Sequence, residues 1–143
     1  MIQIINCQID VQSVLESVKC SEAGAVVTFD GTVRNHCRGK SVTHLFYEAY
    51  ELMAEAILKS IRNEALKKWS LQNLAIIHRV GRLEIGDSSV FIAAVADHRV
   101  EAFEACRFVI DSLKTKAPIW KKEYYQNGEI WVEGYSDILP PQL

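Results

Sequence analysis

Three groups of cationic side chains stand out in a chain whose charge is almost balanced. Lys114 and Lys116 precede the segment Pro118-Ile119-Trp120, and Lys121, Lys122 and Glu123 follow it, so four lysines flank an apolar patch. A lysine held partly out of water beside other cations loses proton affinity and becomes a usable acid, base or nucleophile. The plainer reading is that lysines at a helix end offset the helix dipole. His98 and Arg99 directly follow Asp97, a residue type that caps helices. In a first helical turn they add two side chains to backbone N–H groups that already favour an anion, which makes a phosphate site. Ordinary solvated first-turn residues are the alternative. Arg34, with Asn35, His36, Arg38 and Lys40, is the third group. A near-neutral total leaves room for a small anionic ligand, because a local basic pocket can sit within it.

Other chemistry has less support. Glu48 and Glu84 form no evident acid pair, and His44 and His78 fall in alternating stretches that suit structural roles. Trp69, Trp120 and Trp131 read first as core or interface anchors. There is no dinucleotide fingerprint, phosphate-binding loop, zinc-protease motif or nucleophile elbow, so no cofactor and no metal is expected. Cys7, Cys20, Cys37 and Cys106 are widely scattered without a metal-binding pair, and four reduced thiols are expected. The N-terminal residues lack the basic start and long apolar run of a signal peptide, and no stretch approaches the roughly 18–20 apolar residues of a membrane span. A cytoplasmic location follows as an expectation.

The elements that must position these groups can be read from periodicity. The 143 residues, with 49% hydrophobic and 24% charged, fit one globular domain spanning 1–143. A net charge of −2 argues against nucleic-acid or anionic-membrane partners, which call for a basic surplus. Met1 to Ile5 reads as a strand, and Asp10 caps a short helix through Val11, Val14, Leu15 and Val18. Ala25, Val27, Phe29 and Val33 share one face of a strand, with Gly31 placed for a bulge or a close approach. Residues 35–41 read as a polar loop, and Val42 to Ala49 as a strand. Tyr50 to Trp69 is helical, and Leu74 to Val80 is a strand, followed by a turn-rich link to Gly86-Asp87. Val90 to Ala96 is a buried strand, and Asp97 caps a second long helix that must stop by Ala117, before Pro118. Ile119 to Tyr125, Asn127-Gly128 and Glu129 to Gly134 form a hairpin. The expected fold class is α+β, a single domain with a largely antiparallel sheet, two long helices and one short one.

The run Gly24 to Asn35 (GAVVTFDGTVRN) resembles the N-terminal signature of the molybdopterin synthase catalytic (large) subunit family. Tyr47-Glu48-Ala49-Tyr50, Ile77-His78-Arg79-Val80-Gly81 with Ile85-Gly86-Asp87, and His98-Arg99 through Cys106 resemble its further signatures, in the same order. Leu113 to Glu123 (LKTKAPIWKKE) is the most telling segment, and the likeness extends from about Gly24 to Glu133.

That resemblance implies an α/β hammerhead-like fold and a sulfurtransferase of molybdenum cofactor biosynthesis. Such an enzyme converts cyclic pyranopterin monophosphate to molybdopterin by installing a dithiolene. The sulfur comes from the C-terminal thiocarboxylate of a small ubiquitin-like carrier subunit, and the family assembles as a homodimer within a heterotetramer. Carried over position by position, Lys114 and Lys121 are the catalytic lysines. Arg34, His98 and Arg99 bind substrate, and Thr32, Val33, Lys122 and Glu123 lie at the same pocket wall. One lysine neutralises charge and the other orients the thiocarboxylate or moves a proton; the residues alone do not divide these tasks. In some relatives an arginine after the WVE-like stretch reaches the neighbouring subunit's pocket. Here Gly134 and Tyr135 follow Trp131-Val132-Glu133, so either no arginine acts across the subunits or Arg38 or Lys40 replaces it. The tail after Asp137 is short and proline-capped. Two other readings stay open: a non-catalytic module that docks a ubiquitin-like partner, and a homodimer that binds another phosphorylated metabolite.

Overall fold

Strand continuity and strand alternation distinguish the two sheets. In the computed structural model, which describes residues 1–138, the elements run β1 (Ile2–Ile5), α1 (Val11–Val18), β2 (Ala25–Thr32), β3 (His36–Cys37), β4 (Lys40–Ala49), α2 (Glu51–Lys68), β5 (Leu71–Arg79), β6 (Gly81–Glu84), β7 (Ser88–Ala96), α3 (Arg99–Lys116), β8 (Ile119–Tyr125) and β9 (Ile130–Gly134). The tail at 139–143 lies outside the described residues. No helix among the described residues is long and apolar enough to cross a membrane.

The first sheet has the order β1-β5-β7-β2, with β1 and β5 parallel and the other pairs antiparallel. Its central strands β5 and β7 are almost continuously apolar because the sheet is covered on both faces. Ala75, Ile77, Phe91, Ala93 and Val95 meet Val14 and Val18 of α1. Leu74, Ile76, Ile92 and Ala94 join the larger core, which includes Leu58 and Ile61 of α2 and Val109 and Leu113 of α3. The eight-residue α1 is too short to hold on propensity alone, so this packing and its cap secure it. Asp10 Oδ1 accepts from Ser13 N–H at 3.1 Å, as its position before the apolar stripe predicts.

The second sheet runs β3-β4-β8-β9, with β6 also paired to β4. It alternates. Leu45 and Tyr47 of β4 turn inward with their register partners Glu123 and Lys121 of β8, while Phe46 and Lys122 face outward. The α+β, largely antiparallel architecture therefore matches the periodicity.

Three local expectations need correction. The second long helix begins at Arg99 with His98 as N-cap, one residue later than the Asp97 cap implies. The His98 backbone is still extended (φ −127°, ψ 156°), and the Asp97 carboxylate accepts instead from Gln72 Nε2 at 2.8 Å. The segment expected as a polar loop folds back through Arg38 and Gly39, with φ of 51° and 71°, to pair β3 with β4. The link after Val80 contains β6. Strands of two and four residues are too short to show a period, so backbone pairing alone defines them.

Gly31 has the close approach its position suggests. A Cβ there would lie 2.8 Å from Val90 Cγ1, and the register slips between Gly31 and Thr32. Val33 then leaves the strand, donating its N–H to Asp87 O at 3.0 Å and accepting from Gly86 N–H at 2.8 Å. This fixes the backbone on both sides of Thr32 and Arg34.

Candidate active site

Helix α3 stops because Pro118 disfavours helix at Ala117, whose backbone is extended (φ −75°, ψ 135°). The chain reverses directly into β8. Lys114 on the last helical turn and Lys121 on the strand therefore converge on one cavity of about 340 Å³. The end of β2 and the start of β7 supply its opposite side through Gly31, Thr32, Ser89 and Val90. Of the residues expected from sequence, Thr32, Arg34, Lys114, Lys121 and Glu123 line this cavity. His36 of the third cationic group lines it too, and Asp30, Cys37 and Tyr47 do so without having been anticipated. The period-2 pattern of β4 could have found Tyr47, since it shares a face with Leu45.

The two lysines sit in different fields. Lys121 Nζ is 3.1 Å from Glu123 Oε1 and 3.9 Å from Glu133 Oε2. Burial works against its ammonium, but the Tyr47 oxygen and the two carboxylates outweigh it and hold its pKa above the usual lysine value. Glu123 is only 2% exposed. Burial alone would raise its pKa, yet the Tyr125 hydroxyl donating to Oε2 at 2.6 Å and the Lys121 charge bring it below the ordinary carboxylate value. Arg38 Nη1 donates to the Tyr125 oxygen at 3.0 Å, which extends the network to the β3–β4 turn. Lys114 has no carboxylate within 4 Å among the described residues; its Nζ lies 4.6 Å from the Tyr135 ring centroid. Burial, then the positive charges of Lys121 and Arg34, push its pKa down, and Glu133 opposes them only in part. Lys121 is thus a fixed cation, and Lys114 an ammonium that gives up its proton more readily.

The other expected residues lie elsewhere. Val33 is buried in the core behind the cavity wall. Lys122 is on the outward face of β8, with Nζ 3.0 Å from Glu48 Oε1. His98 and Arg99 are exposed at the opposite end of α3. The rise from Arg99 to Lys114 is about 22 Å at ~1.5 Å per residue. One copy of the chain cannot bring these two ends to a single small ligand. The four cysteines are free, and no cluster of three or more His, Cys, Asp or Glu among the described residues could hold a metal ion.

Known proteins share this arrangement of sequence and fold. The chain is 47% identical over 126 residues to a molybdopterin synthase catalytic subunit of Oryza sativa subsp. indica; the match covers 88% of this chain and 65% of that relative, so the chain spans a little under two thirds of the rice protein's length. The crystal structure of molybdopterin synthase from Staphylococcus aureus superposes with a TM-score of 0.86 at 37% identity, covering 92% of this chain and 95% of that one. A protein–protein complex of subunits 1 and 2 of molybdopterin-converting factor from Helicobacter pylori contains a chain matching with a TM-score of 0.74 at 25% identity, over 88% of this chain and 86% of that one. The family model described as MoaE protein matches residues 4–116, and on that match, with the relatives beside it, the chain belongs to the MoaE family.

Proposed function

We propose that this chain is the catalytic subunit of a molybdopterin synthase: a sulfurtransferase that converts cyclic pyranopterin monophosphate to molybdopterin. The observation that carries this reading is the single cavity into which Arg34, Lys114 and Lys121 converge from three separate segments, in a chain of this family. Its volume of about 340 Å³ is at the small end of ligand pockets, which suits a compact pterin and the narrow tail of a partner. The sulfur arrives as the C-terminal thiocarboxylate of a small ubiquitin-like carrier subunit. The two-subunit complex from Helicobacter pylori supports a second, small subunit of this kind.

In this mechanism Arg34 attracts the anionic substrate. Lys121, held charged by Glu123, orients the thiocarboxylate and offsets negative charge as its sulfur attacks the pterin side chain. Lys114, with its weakened hold on the proton, supplies that proton to the departing side-chain oxygen, and water then hydrolyses the carrier–sulfur thioester, so the sulfur stays on the pterin and the carrier leaves as a carboxylate. Turnover therefore falls on the alkaline side below the usual lysine value of 10.5, as Lys114 loses its proton. Thr32 and Glu123 shape the pocket wall. His98 and Arg99 serve the substrate from a second copy of the chain in this reading, within a homodimer that forms part of a heterotetramer. The single domain, 1–143, carries this activity in the cytoplasm, and its free thiols fit a reducing compartment.

Reconstitution tests the reading. The chain is mixed with thiocarboxylated carrier subunit and cyclic pyranopterin monophosphate, and dithiolene product is quantified. Product is expected; a stable complex with the carrier that forms no product would overturn the enzymatic role. Mixed dimers of a Lys121→Ala copy and an Arg99→Ala copy should keep one intact site and outperform either pure variant. If they do not, the two-copy pocket is wrong.

A further inference from the structure

Beside Lys114, three aromatic rings pack edge to face, and Tyr47 among them also lines the cavity. The Tyr47 and His78 centroids are 5.1 Å apart, those of His78 and Tyr135 5.7 Å, and those of Tyr47 and Tyr135 6.2 Å. His78 is fully buried. Its Nδ1 lies 2.8 Å from the Arg79 carbonyl oxygen, which can only accept, so the imidazole proton sits on Nδ1. Nε2 is then an acceptor, and the Tyr135 hydroxyl 3.2 Å away donates to it. Burial holds His78 uncharged, with a pKa down at about 4, so it adds no further cation beside the lysines at neutral pH.

Tyr135 is fixed from its backbone too. Its N–H donates to Ile119 O at 2.9 Å. Gly134 before it presses against Trp120, where a Cβ would lie 2.9 Å from Cδ1, so the strand end can lie flat only with glycine. The face of the Tyr135 ring then meets Lys114 Nζ at 4.6 Å, a distance at which a ring quadrupole attracts a cation.

We propose that His78 and Tyr135 act as a neutral positioning pair for Lys114, with His78 anchoring the phenol so that its ring face seats the ammonium. The charged groups around Lys114 are Lys121 and Arg34, which drive its proton off, and Glu133, which retains it. A carboxylate in contact would lock Lys114 as a permanent cation, as Glu123 does for Lys121. The ring steadies the ammonium without doing so. This rests on the reading of Lys114 as the proton-transferring lysine, and it assigns work to Tyr135 at the position where some relatives place an arginine.

The test reads Lys114 directly and needs neither carrier nor substrate, so it can fail independently of the enzymatic reading. Lysines of the full chain are labelled with carbon-13 at Cε and titrated by NMR, with the Lys114 signal assigned by its loss in Lys114→Arg. Tyr135→Leu keeps the site apolar but removes the ring face, and the Lys114 midpoint should fall by about half a pH unit. His78→Leu should lower it in the same direction, and the double variant should go no further. His78→Gln, whose amide oxygen can accept from Tyr135, should stay near wild type. An unmoved midpoint in Tyr135→Leu, or shifts in the two leucine variants that add independently, would overturn the pairing. Should Tyr135→Leu fail to fold, Tyr135→Phe decides: a lowered midpoint supports the His78 anchor, and an unchanged one refutes it.

Discussion

Lys121 and Lys122 are neighbours in β8, and each meets a glutamate: Glu123 at 3.1 Å on the inward face and Glu48 at 3.0 Å on the outward one. The two lysine side chains are almost equally exposed, at 21% and 20%. Their partners are not. Glu123 is 2% exposed and tied to Tyr125, whereas the Glu48 side chain is 23% exposed and pairs with Lys122. Exposure of the lysine therefore does not separate a cavity cation from a surface pair; what stands behind the carboxylate does. On the inward face a network runs from Arg38 through Tyr125 and Glu123 to Lys121.

The largest effect should separate the faces outright. Lys121→Ala and Lys114→Ala should each cut the rate of product formation by about 100- to 1,000-fold, the scale of losing one preorganised charge at a reacting centre. Circular dichroism and native mass should stay as in wild type. Equal loss in Lys122→Ala would erase the contrast between the faces.

The inward region should also be the acid-sensitive one. His78 binds its proton near pH 4 in the folded chain and near 6.5 when exposed. As pH falls, the unfolded chain is protonated first, so the stabilisation is complete above about pH 6.5 and is lost progressively toward pH 4. The difference is about 3 kcal/mol over that window. Denaturant melts at pH 7, 5.5 and 4.5 would check it, and His78→Gln should flatten the dependence. A wild-type stability that does not change between pH 7 and 4.5 would contradict a buried neutral imidazole.

Glu123→Gln should cost somewhat less, about 2 kcal/mol at pH 7, because the amide still accepts from Tyr125 but no longer neutralises Lys121. Its folded pKa lies below the usual 4.5, so this contribution is present above that value and disappears as pH falls through the lower folded one. The variant and wild-type melting curves should converge in acid; a gap that persists there would mean packing rather than charge is responsible.

Much of this architecture could be read from periodicity, and the exceptions have physical causes. The α1 cap at Asp10, the alternation of β2, the stop before Pro118 and the hairpin at Asn127-Gly128 are local signals, and each appears in the structure. The division into two sheets is not local, because β4 chooses β3, β6 and β8 through backbone pairing that side-chain period does not encode. The same holds for the site. Lys114 and Lys121 are seven residues apart and were visible as a cluster, but their unequal fields come from Glu123, Glu133 and Tyr135. The aromatic pair at His78 and Tyr135 joins residues 57 apart in sequence. The separation of His98 and Arg99 from Lys114 was implicit in the length of a continuous helix, and it makes a second copy the only route by which both ends of α3 serve one ligand.

The smallest expected effect tests the comparison most finely. Lys122→Ala removes an ion pair of nearly the same length as the one at Lys121, so a distance-based argument would give both variants equal weight. Partly exposed pairs contribute roughly 0–1 kcal/mol, because water competes for both charges and the side chains give up rotamer freedom to meet. The Lys122 stem also covers the outward face beside Phe46, its register partner, so some of any loss would be apolar rather than ionic. Lys122→Met keeps that cover and removes the charge. Both variants should remain within about 1 kcal/mol of wild-type stability, with Lys122→Met the nearer, and both should turn over within about twofold of wild type. A KM that rises in both variants at unchanged stability would mean that the outward charge reaches the substrate's field through the strand, and the two faces would then be one electrostatic site.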